Sequence, residues 1–185
     1  MKSFPNFTID LSNCLNKKIS NQFKQRISQG SLTRDENPAD HFCVSFCCYS
    51  LKNKRFFITH HKKSGLWMFP GGHIDRNESP EETLYREMKE ELGFICAHSQ
   101  NHQPILNSIF SLNDIPNNKC KIHYEIFYAI PAEKEDFQID PKEFLDTKWA
   151  TLEEAEKLMT NNSSSLLALK RLYQIINRQQ NRSEE

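Results

Sequence analysis

The chain has 185 residues, and 24 lysines and arginines balance 24 aspartates and glutamates, so its formal net charge at pH 7 is zero. One domain of this length can bury a sizeable core, whereas a neutral chain lacks the field that draws proteins to nucleic acids or acidic membranes. No apolar run reaches the roughly 20 residues of a membrane span, and the N-terminal segment lacks the apolar core of a signal peptide, so we expect a soluble, cytoplasmic protein.

Residues 1–40 are expected to form a helix and a linker that precede the main domain. Apolar residues recur every four positions, which is typical of one face of an amphipathic helix. The helix is predicted from about Ser12 to Gln29, ending at Gly30, and the polar stretch 31–40 is predicted as a linker. The apolar face is expected to pack on the core, with a dimer contact as the alternative. Its residues are Leu15, Ile19, Phe23 and Ile27.

Three strands are predicted next, at about His41–Ser50, Arg55–His60 and Leu66–Phe69. They lead into Pro70-Gly71-Gly72. A double glycine lets the backbone approach a ligand closely or adopt positive φ, so this loop indicates more than a connection to a surface helix.

The following helix has strong start and stop signals. Ser79 can cap the free amides, Pro80 suits the first helical position and Glu82 completes a capping box. Gly93 supplies the stop. The spacing places Glu87, Glu90 and Glu91 within one narrow arc of this helix, beside an apolar stripe.

The position of these three carboxylates is unfavourable for the helix alone. Acids oppose the helix dipole near the C-terminus by about 0.3–1 kcal/mol each, and Glu87 and Glu91 repel as an i,i+4 pair. A divalent cation would remove both costs, and oxygen ligands suit Mg²⁺ or Mn²⁺. The alternative is a solvated acidic face on which Arg86 bridges Glu82 and Glu90.

The segment from Gly72 to Phe94 resembles the Nudix box of the Nudix hydrolases. In it, five residues separate Gly72 from Glu78, and seven separate Glu78 from the run that begins at Arg86. Phe94, where an aliphatic residue is usual, is a mild departure. The resemblance implies an α/β/α sandwich with a mixed sheet, to which the N-terminal helix is an extension. It also implies hydrolysis of a diphosphate that links a nucleoside to another group, with Mg²⁺, or Mn²⁺ as a substitute.

The resemblance further implies residue roles. Glu87, Glu90 and Glu91 would bind the metal, with the carbonyl of Gly71 as a further ligand. Arg86 would orient the glutamates and Glu78 would brace the loop. Of these, Glu90, Glu91 and Arg86 are expected to serve catalysis directly.

A general base could be a box glutamate or an acid on a later strand. Strands are predicted at Ile105–Leu112 and Cys120–Ile130, and alternation places His123, Glu125 and Phe127 on one face. Glu125 is therefore the candidate base, with an exposed edge-strand charge as the alternative. The acids in the next predicted loop are weaker candidates: Glu133, Glu135 and Asp136.

The C-terminal part is predicted as a strand at 144–150, a short helix that opens at a Thr151 capping box, and a helix over about Leu166–Gln179. Residues 181–185 are expected to be a frayed tail, so that the main domain covers 41–180. Strands, a helix, more strands and then helices predict a mixed sheet with helices on both faces.

Substrate contacts are expected from Trp67 by stacking, from Lys62 by charge and from His73 beside the glycines, although core or surface roles are alternatives for each. No set of histidines, with or without cysteine, has the sequence spacing of a zinc site. The six cysteines show no C-x-x-C pair and are expected to be reduced thiols.

The leading prediction is a metal-dependent hydrolase acting on a small nucleotide-type substrate, as a monomer or homodimer. A Nudix module that binds a nucleotide without cleaving it is the main alternative. An isomerase of isoprenoid diphosphates would need a catalytic cysteine, and an RNA-decapping role would need a basic tract.

Overall fold

The longest strand, β1 (Asp40–Ser50), lies at the centre of the fold, and every residue after Asp40 in it is buried. Such continuous burial, without alternation, is typical of a strand covered on both faces. The computed structural model describes residues 7–93, 102–115, 119–132 and 137–183. Phe94 of the motif and the loop acids Glu133, Glu135 and Asp136 lie outside the described residues.

The seven described strands form one mixed sheet. Strand β1 pairs in parallel with β6 and in antiparallel with β2 and β4, and β6 pairs in antiparallel with β5. Strand β2 also pairs with β3 and β7. The other strands are β2 (Arg55–His61), β3 (Trp67–Met68), β4 (Gly71–His73), β5 (Pro104–Ser111), β6 (Ile122–Pro131) and β7 (Phe144–Ala150).

Four described helices cover the two faces of this sheet: α1 (Lys17–Gln29), α2 (Pro80–Leu92), α3 (Leu152–Leu158) and α4 (Ser163–Ser183). Even-numbered β1 residues, such as Phe42, pack with α1 and α2. Odd-numbered residues, such as Cys47, pack with α3 and α4. The predicted α/β/α sandwich with a mixed sheet is therefore confirmed.

Helix α1 begins five residues later than the predicted Ser12, because the side chain of Asn16 caps it by accepting from the amide of Ile19. A 3₁₀ turn at Leu11–Asn13 precedes it. Leu15 is consequently outside the helix and 44% exposed, whereas Phe23 is fully buried. The predicted apolar face is correct at Phe23 and wrong at Leu15.

Two further boundaries differ from the prediction. Residues 71–73, predicted as a loop, form the short strand β4 on β1. Helix α4 starts at Ser163 because Asn162 caps it by accepting from the amide of Ser165, and it continues to Ser183. None of the helices in the described ranges is long and apolar enough to span a membrane.

Candidate active site

Helix α2 is fixed at both ends by its own sequence. The Ser79 hydroxyl accepts from the Glu82 amide at 3.2 Å, and the Glu82 carboxylate accepts from the Ser79 amide at 2.7 Å. Gly93 ends the helix in the left-handed conformation, with φ of 60°. The predicted capping box and stop are confirmed, so the position of each box glutamate along the helix is set locally.

Each residue of the double glycine lies so close to a neighbouring group that a side chain would not fit. At Gly71, which has φ of 152°, an added Cβ would lie 2.1 Å from the carbonyl oxygen of Val44 on β1. At Gly72, an added Cβ would lie 1.9 Å from Oε1 of Glu87. Glycine at 71 lets β4 pair with β1, and glycine at 72 makes room for a carboxylate of α2.

The three box glutamates and Gly71 line one cavity of about 350 Å³. Glu87 and Glu91 are buried, whereas the side chain of Glu90 is 59% exposed. Oε2 of Glu91 accepts from the Gly71 amide at 2.8 Å, which ties the end of α2 to β4. The alternative of a solvated acidic face is wrong for Glu87 and Glu91, because both side chains turn inward.

Arg86 connects the glycine loop to the helix. Its Nε and Nη2 donate to the two oxygens of Glu78 at 2.8 and 2.9 Å, and its Nη1 donates to Glu87 at 2.6 Å and Glu90 at 3.2 Å. Nη2 also donates to the carbonyl of His73 at 3.0 Å. The planar guanidinium can satisfy all these acceptors at once, so it holds the carboxylates in place.

The buried carboxylates carry an electrostatic cost. Burial raises the pKa of Glu87, and burial together with repulsion from Glu87 raises the pKa of Glu91 well above its ordinary value. Carboxylate oxygens are hard donors that suit Mg²⁺ or Mn²⁺. The residues present therefore fit a divalent cation.

Glu125 lies in β6, which is covered by β1 on one side and β5 on the other, so the edge-strand alternative is wrong. Its side chain is buried, and burial raises its pKa to about 7 despite a hydrogen bond from Ser164. Glu125 and Glu91 line the same narrow cavity of about 80 Å³ beside Gly71. Glu125 thus lies beside the same cavity as Glu91, one of the box glutamates.

A larger cavity of about 650 Å³ adjoins the carboxylate-lined one, and the two share Arg34, His61, Lys63 and His73. Four apolar side chains contribute to its lining, so the second cavity adds apolar surface to the charged lining of the first. The apolar residues are Leu66, Met68, Phe110 and Leu112.

Among the predicted substrate contacts, His73 lines both cavities. Trp67 and Lys62 are not among the described residues that line them. Trp67 stacks on His60 with ring centroids 5.1 Å apart, and Lys62 donates to the carbonyl of Pro141. The lysine that lines both cavities is Lys63, one position later. The sequence places both lysines in one basic cluster at the end of a strand and gave no means of choosing between them.

Three histidines and a cysteine meet on the α3 and α4 side of the sheet. One ligand-type atom from each of His41, His73, Cys120 and His123 lies within 4.8 Å of the others. Burial lowers the pKa of His73 to about 2 and of His123 to about 3. The sequence had given no sign of this set, because its members come from three different strands and a turn.

The glycine loop, the box glutamates and the strands around them lie within a range that matches a known protein family. The family model of the NUDIX domain matches residues 41–170. The chain belongs to the Nudix family. The matched range includes every residue that lines the two cavities except Arg34, and the predicted family resemblance is confirmed.

Curated Nudix relatives match parts of the chain. The probable DHNTP pyrophosphohydrolase of Lactococcus lactis subsp. cremoris (strain MG1363) is 28% identical over 88 residues, covering 48% of this chain and 52% of that protein. The 8-oxo-dGTP diphosphatase of Proteus vulgaris is 55% identical over 29 residues, covering 16% of this chain and 26% of that protein. The chain thus spans about half or less of the length of these relatives.

Solved Nudix structures share the fold over most of the chain. The E. coli dihydroneopterin triphosphate pyrophosphohydrolase superposes with a TM-score of 0.59 at 17% identity, covering 70% of this chain and 92% of that chain. The NUDIX domain of Shewanella oneidensis NrtR, complexed with ADP ribose, gives 0.58 at 17% identity, covering 75% and 89%. At these identities the likeness is one of fold.

Proposed function

We propose that this Nudix protein is a divalent-metal-dependent hydrolase that cleaves a diphosphate linkage in a nucleoside diphosphate derivative. The observation that carries the proposal is the meeting of Glu87, Glu90 and Glu91 along one cavity. Arg86 holds the first two, and the Gly71 amide holds Glu91. Two of these carboxylates are buried at an electrostatic cost, which a bound cation would offset.

Glu87, Glu90 and Glu91 would hold Mg²⁺, or Mn²⁺ in its place, with the carbonyl of Gly71 as a further ligand. When bound, the ion supplies positive charge to the phosphate oxygens and lowers the pKa of water. Arg86 keeps Glu87 and Glu90 oriented, and Glu78 fixes Arg86 in turn.

The substrate would lie across the two adjoining cavities. Its diphosphate would face the carboxylates, with Arg34 and Lys63 near its charges, and its nucleoside or similar group would enter the apolar cavity of about 650 Å³. Pockets of this size and lining are typical for small molecules. The names of three curated relatives give dihydroneopterin triphosphate, 8-oxo-dGTP and RNA as their substrates. Each of these is therefore a substrate to test.

Glu125 and Glu91 are the candidates to accept the proton of the attacking water. Both line the narrow cavity beside Gly71. A base works best when its pKa lies near the working pH, and the pKa of Glu125 is about 7. Glu125 is therefore the stronger candidate of the two.

The proposal is tested by turnover of a substrate panel with Mg²⁺, with Mn²⁺ and with EDTA. The panel holds nucleoside triphosphates, 8-oxo-dGTP, dinucleoside polyphosphates, ADP-ribose, nucleotide sugars, dihydroneopterin triphosphate and 5′-triphosphorylated RNA. We expect at least one substrate to be cleaved with metal and none with EDTA. Glu91→Gln should lower kcat by roughly 100-fold or more, a typical loss for an essential electrostatic group.

Glu81→Gln is the matched control, because Glu81 is exposed on the same helix and does not line the carboxylate cavity. It should change kcat less than about twofold. Absence of turnover across the whole panel would refute the hydrolase proposal. Tight nucleotide binding by calorimetry without turnover would instead favour the non-catalytic binding module.

A further inference from the structure

We propose that His41, His73, Cys120 and His123 form a zinc site that is separate from the carboxylate site. Three imidazoles and one thiolate are a ligand set that zinc accepts in tetrahedral geometry. Mg²⁺ prefers oxygen ligands, so the two sites differ in the metal that they select.

Strand register brings the ligands together. His41 on β1 is the direct partner of His123 on β6, and Cys43 on β1 is the direct partner of His73 on β4. Direct partners point to the same side of a sheet, as do alternate residues of one strand. The three imidazoles therefore share one face, with ring centroids 4.7 to 5.1 Å apart.

The spacing of the atoms fits a tetrahedral metal with little movement. Ligands at about 2.0–2.3 Å from a tetrahedral zinc lie about 3.3–3.8 Å from one another. Sγ of Cys120 and Nε2 of His73 are 3.7 Å apart, and the whole set lies within 4.8 Å. Contraction of less than about 1.5 Å between any two ligands would complete the geometry.

Two buried imidazole nitrogens of this set favour a bound cation. Among the described residues, Nε2 of His41 and Nε2 of His123 are buried and have no hydrogen-bond partner. His41 is fully buried, and an unsatisfied polar atom in such a place costs about 1–3 kcal/mol. A metal ion would satisfy both lone pairs.

The tautomer of His41 also suits a metal. Its Nδ1 lies 2.9 Å from the carbonyl oxygen of Asn37, to which it donates. This contact leaves Nε2 as the free lone pair, and a backbone carbonyl is a usual partner for the second nitrogen of a ligating histidine. Nη1 of Arg34 lies 3.3 Å from Nδ1 of His73. When His73 binds the metal through Nε2, the exposed Arg34 side chain would turn away to solvent.

Zinc binding would convert the Cys120 thiol to a thiolate and release one proton to solvent. The ion would link β1, β4, β6 and the turn that precedes β6. His73, Cys120 and His123 also line the larger cavity, so the metal would stiffen a wall of the proposed substrate pocket.

The test is titration of the chelator-treated full chain with Co²⁺ in excess Mg²⁺. A cobalt–thiolate charge-transfer band and the visible bands of tetrahedral cobalt should saturate at one equivalent, and Zn²⁺ should bleach them. The carboxylate site cannot give the thiolate band, so Glu91→Gln should retain it. Zn²⁺ should also raise the melting temperature of the wild-type chain.

Cys120→Ser should abolish the thiolate band, and His123→Gln should lower cobalt affinity by roughly tenfold or more. Cys14→Ser and His60→Gln are matched controls outside the cluster and should keep the wild-type spectrum. Circular dichroism reports folding, and Cys120→Ser decides the test if His123→Gln does not fold. A wild-type chain without the thiolate band, or a band that survives Cys120→Ser, would overturn the zinc site.

Discussion

The carboxylate of Glu87 occupies the space that a side chain at Gly72 would need, since an added Cβ would lie 1.9 Å from Oε1 of Glu87. Gly72→Ala would therefore push this carboxylate away from Arg86 while leaving the backbone in place. We expect kcat to fall by roughly 100-fold, because displacements of about 1 Å have such effects. The melting temperature should fall only modestly, because one charged hydrogen bond from Arg86 to Glu87 is lost but no backbone has to move.

Gly71→Ala gives the contrasting result. Its added Cβ would lie 2.1 Å from a backbone oxygen of Val44, at a φ of 152°. Backbone cannot move aside as a carboxylate can, so we expect a loss of stability of more than about 2 kcal/mol. Gly65→Ala is the control, with positive φ but nothing within 4 Å. A Gly72→Ala protein as active as wild type would contradict the first expectation.

Arg86→Lys should remove most of the activity although it preserves charge. A lysine has one ammonium group and cannot replace the fork that holds Glu78 and Glu87 together. Each charged hydrogen bond that is not replaced costs about 1.5–3 kcal/mol, so chemical denaturation should show a clear loss of stability. Arg76→Lys, an exposed change in the same loop, should leave both stability and kcat near wild type.

Local signals in the sequence predicted the parts of the site that depend on one segment. Ser79, Glu82 and Gly93 determine where α2 begins and ends through contacts within a few residues. The order of the box glutamates follows from helical spacing alone. The same reasoning missed β4, because glycine has low strand propensity and only its pairing with β1 makes it a strand.

Features that depend on strand register could not be predicted. Alternation placed His123 and Glu125 on one face correctly, but whether that face was buried depended on β6 lying between β1 and β5. The meeting of His41 with His123 needs the same long-range pairing. Ser12 was predicted as the start of α1 because apolar spacing does not reveal that Asn16 makes the better cap.

Glu125 should make the stability of the metal-free protein depend on pH. Its pKa rises from 4.5 to about 7 on folding, so the folded state binds the proton more tightly. The stabilisation is complete below about pH 4.5 and is lost as pH rises through 7. Glu125→Gln mimics the neutral form, so at pH 8 it should be more stable than wild type by on the order of 3 kcal/mol.

Denaturation of both proteins in EDTA, from pH 4 to pH 8, checks this expectation. The two should agree near pH 4 and separate as pH rises. Glu81→Gln, an exposed change, should follow wild type throughout. Parallel curves for wild type and Glu125→Gln would show that Glu125 does not titrate as its burial predicts.

Lys63 and Lys62 are neighbours with different expected effects on substrate binding. Lys63 lines both cavities, whereas Lys62 donates to the carbonyl of Pro141. With whichever substrate the panel identifies, Lys63→Ala should raise KM by on the order of tenfold, equivalent to about 1.4 kcal/mol. Lys62→Ala should raise it by less than about twofold. Equal effects of the two changes would place the phosphates elsewhere.

The guanidinium of Arg26 donates to the carbonyl oxygens of Gly30, Ser31 and Asp40, and thereby clasps α1 to the first residue of the central strand. Phe23 meets the ring of Phe42 edge-on, with centroids 5.6 Å apart. A truncated protein that begins at residue 41, the start of the matched range, would lose Phe23. Its loss would expose Phe42 and the apolar surface around it to water. We expect this truncated protein to aggregate, so preparations for crystallography or assay should keep α1 and the segment that joins it to β1.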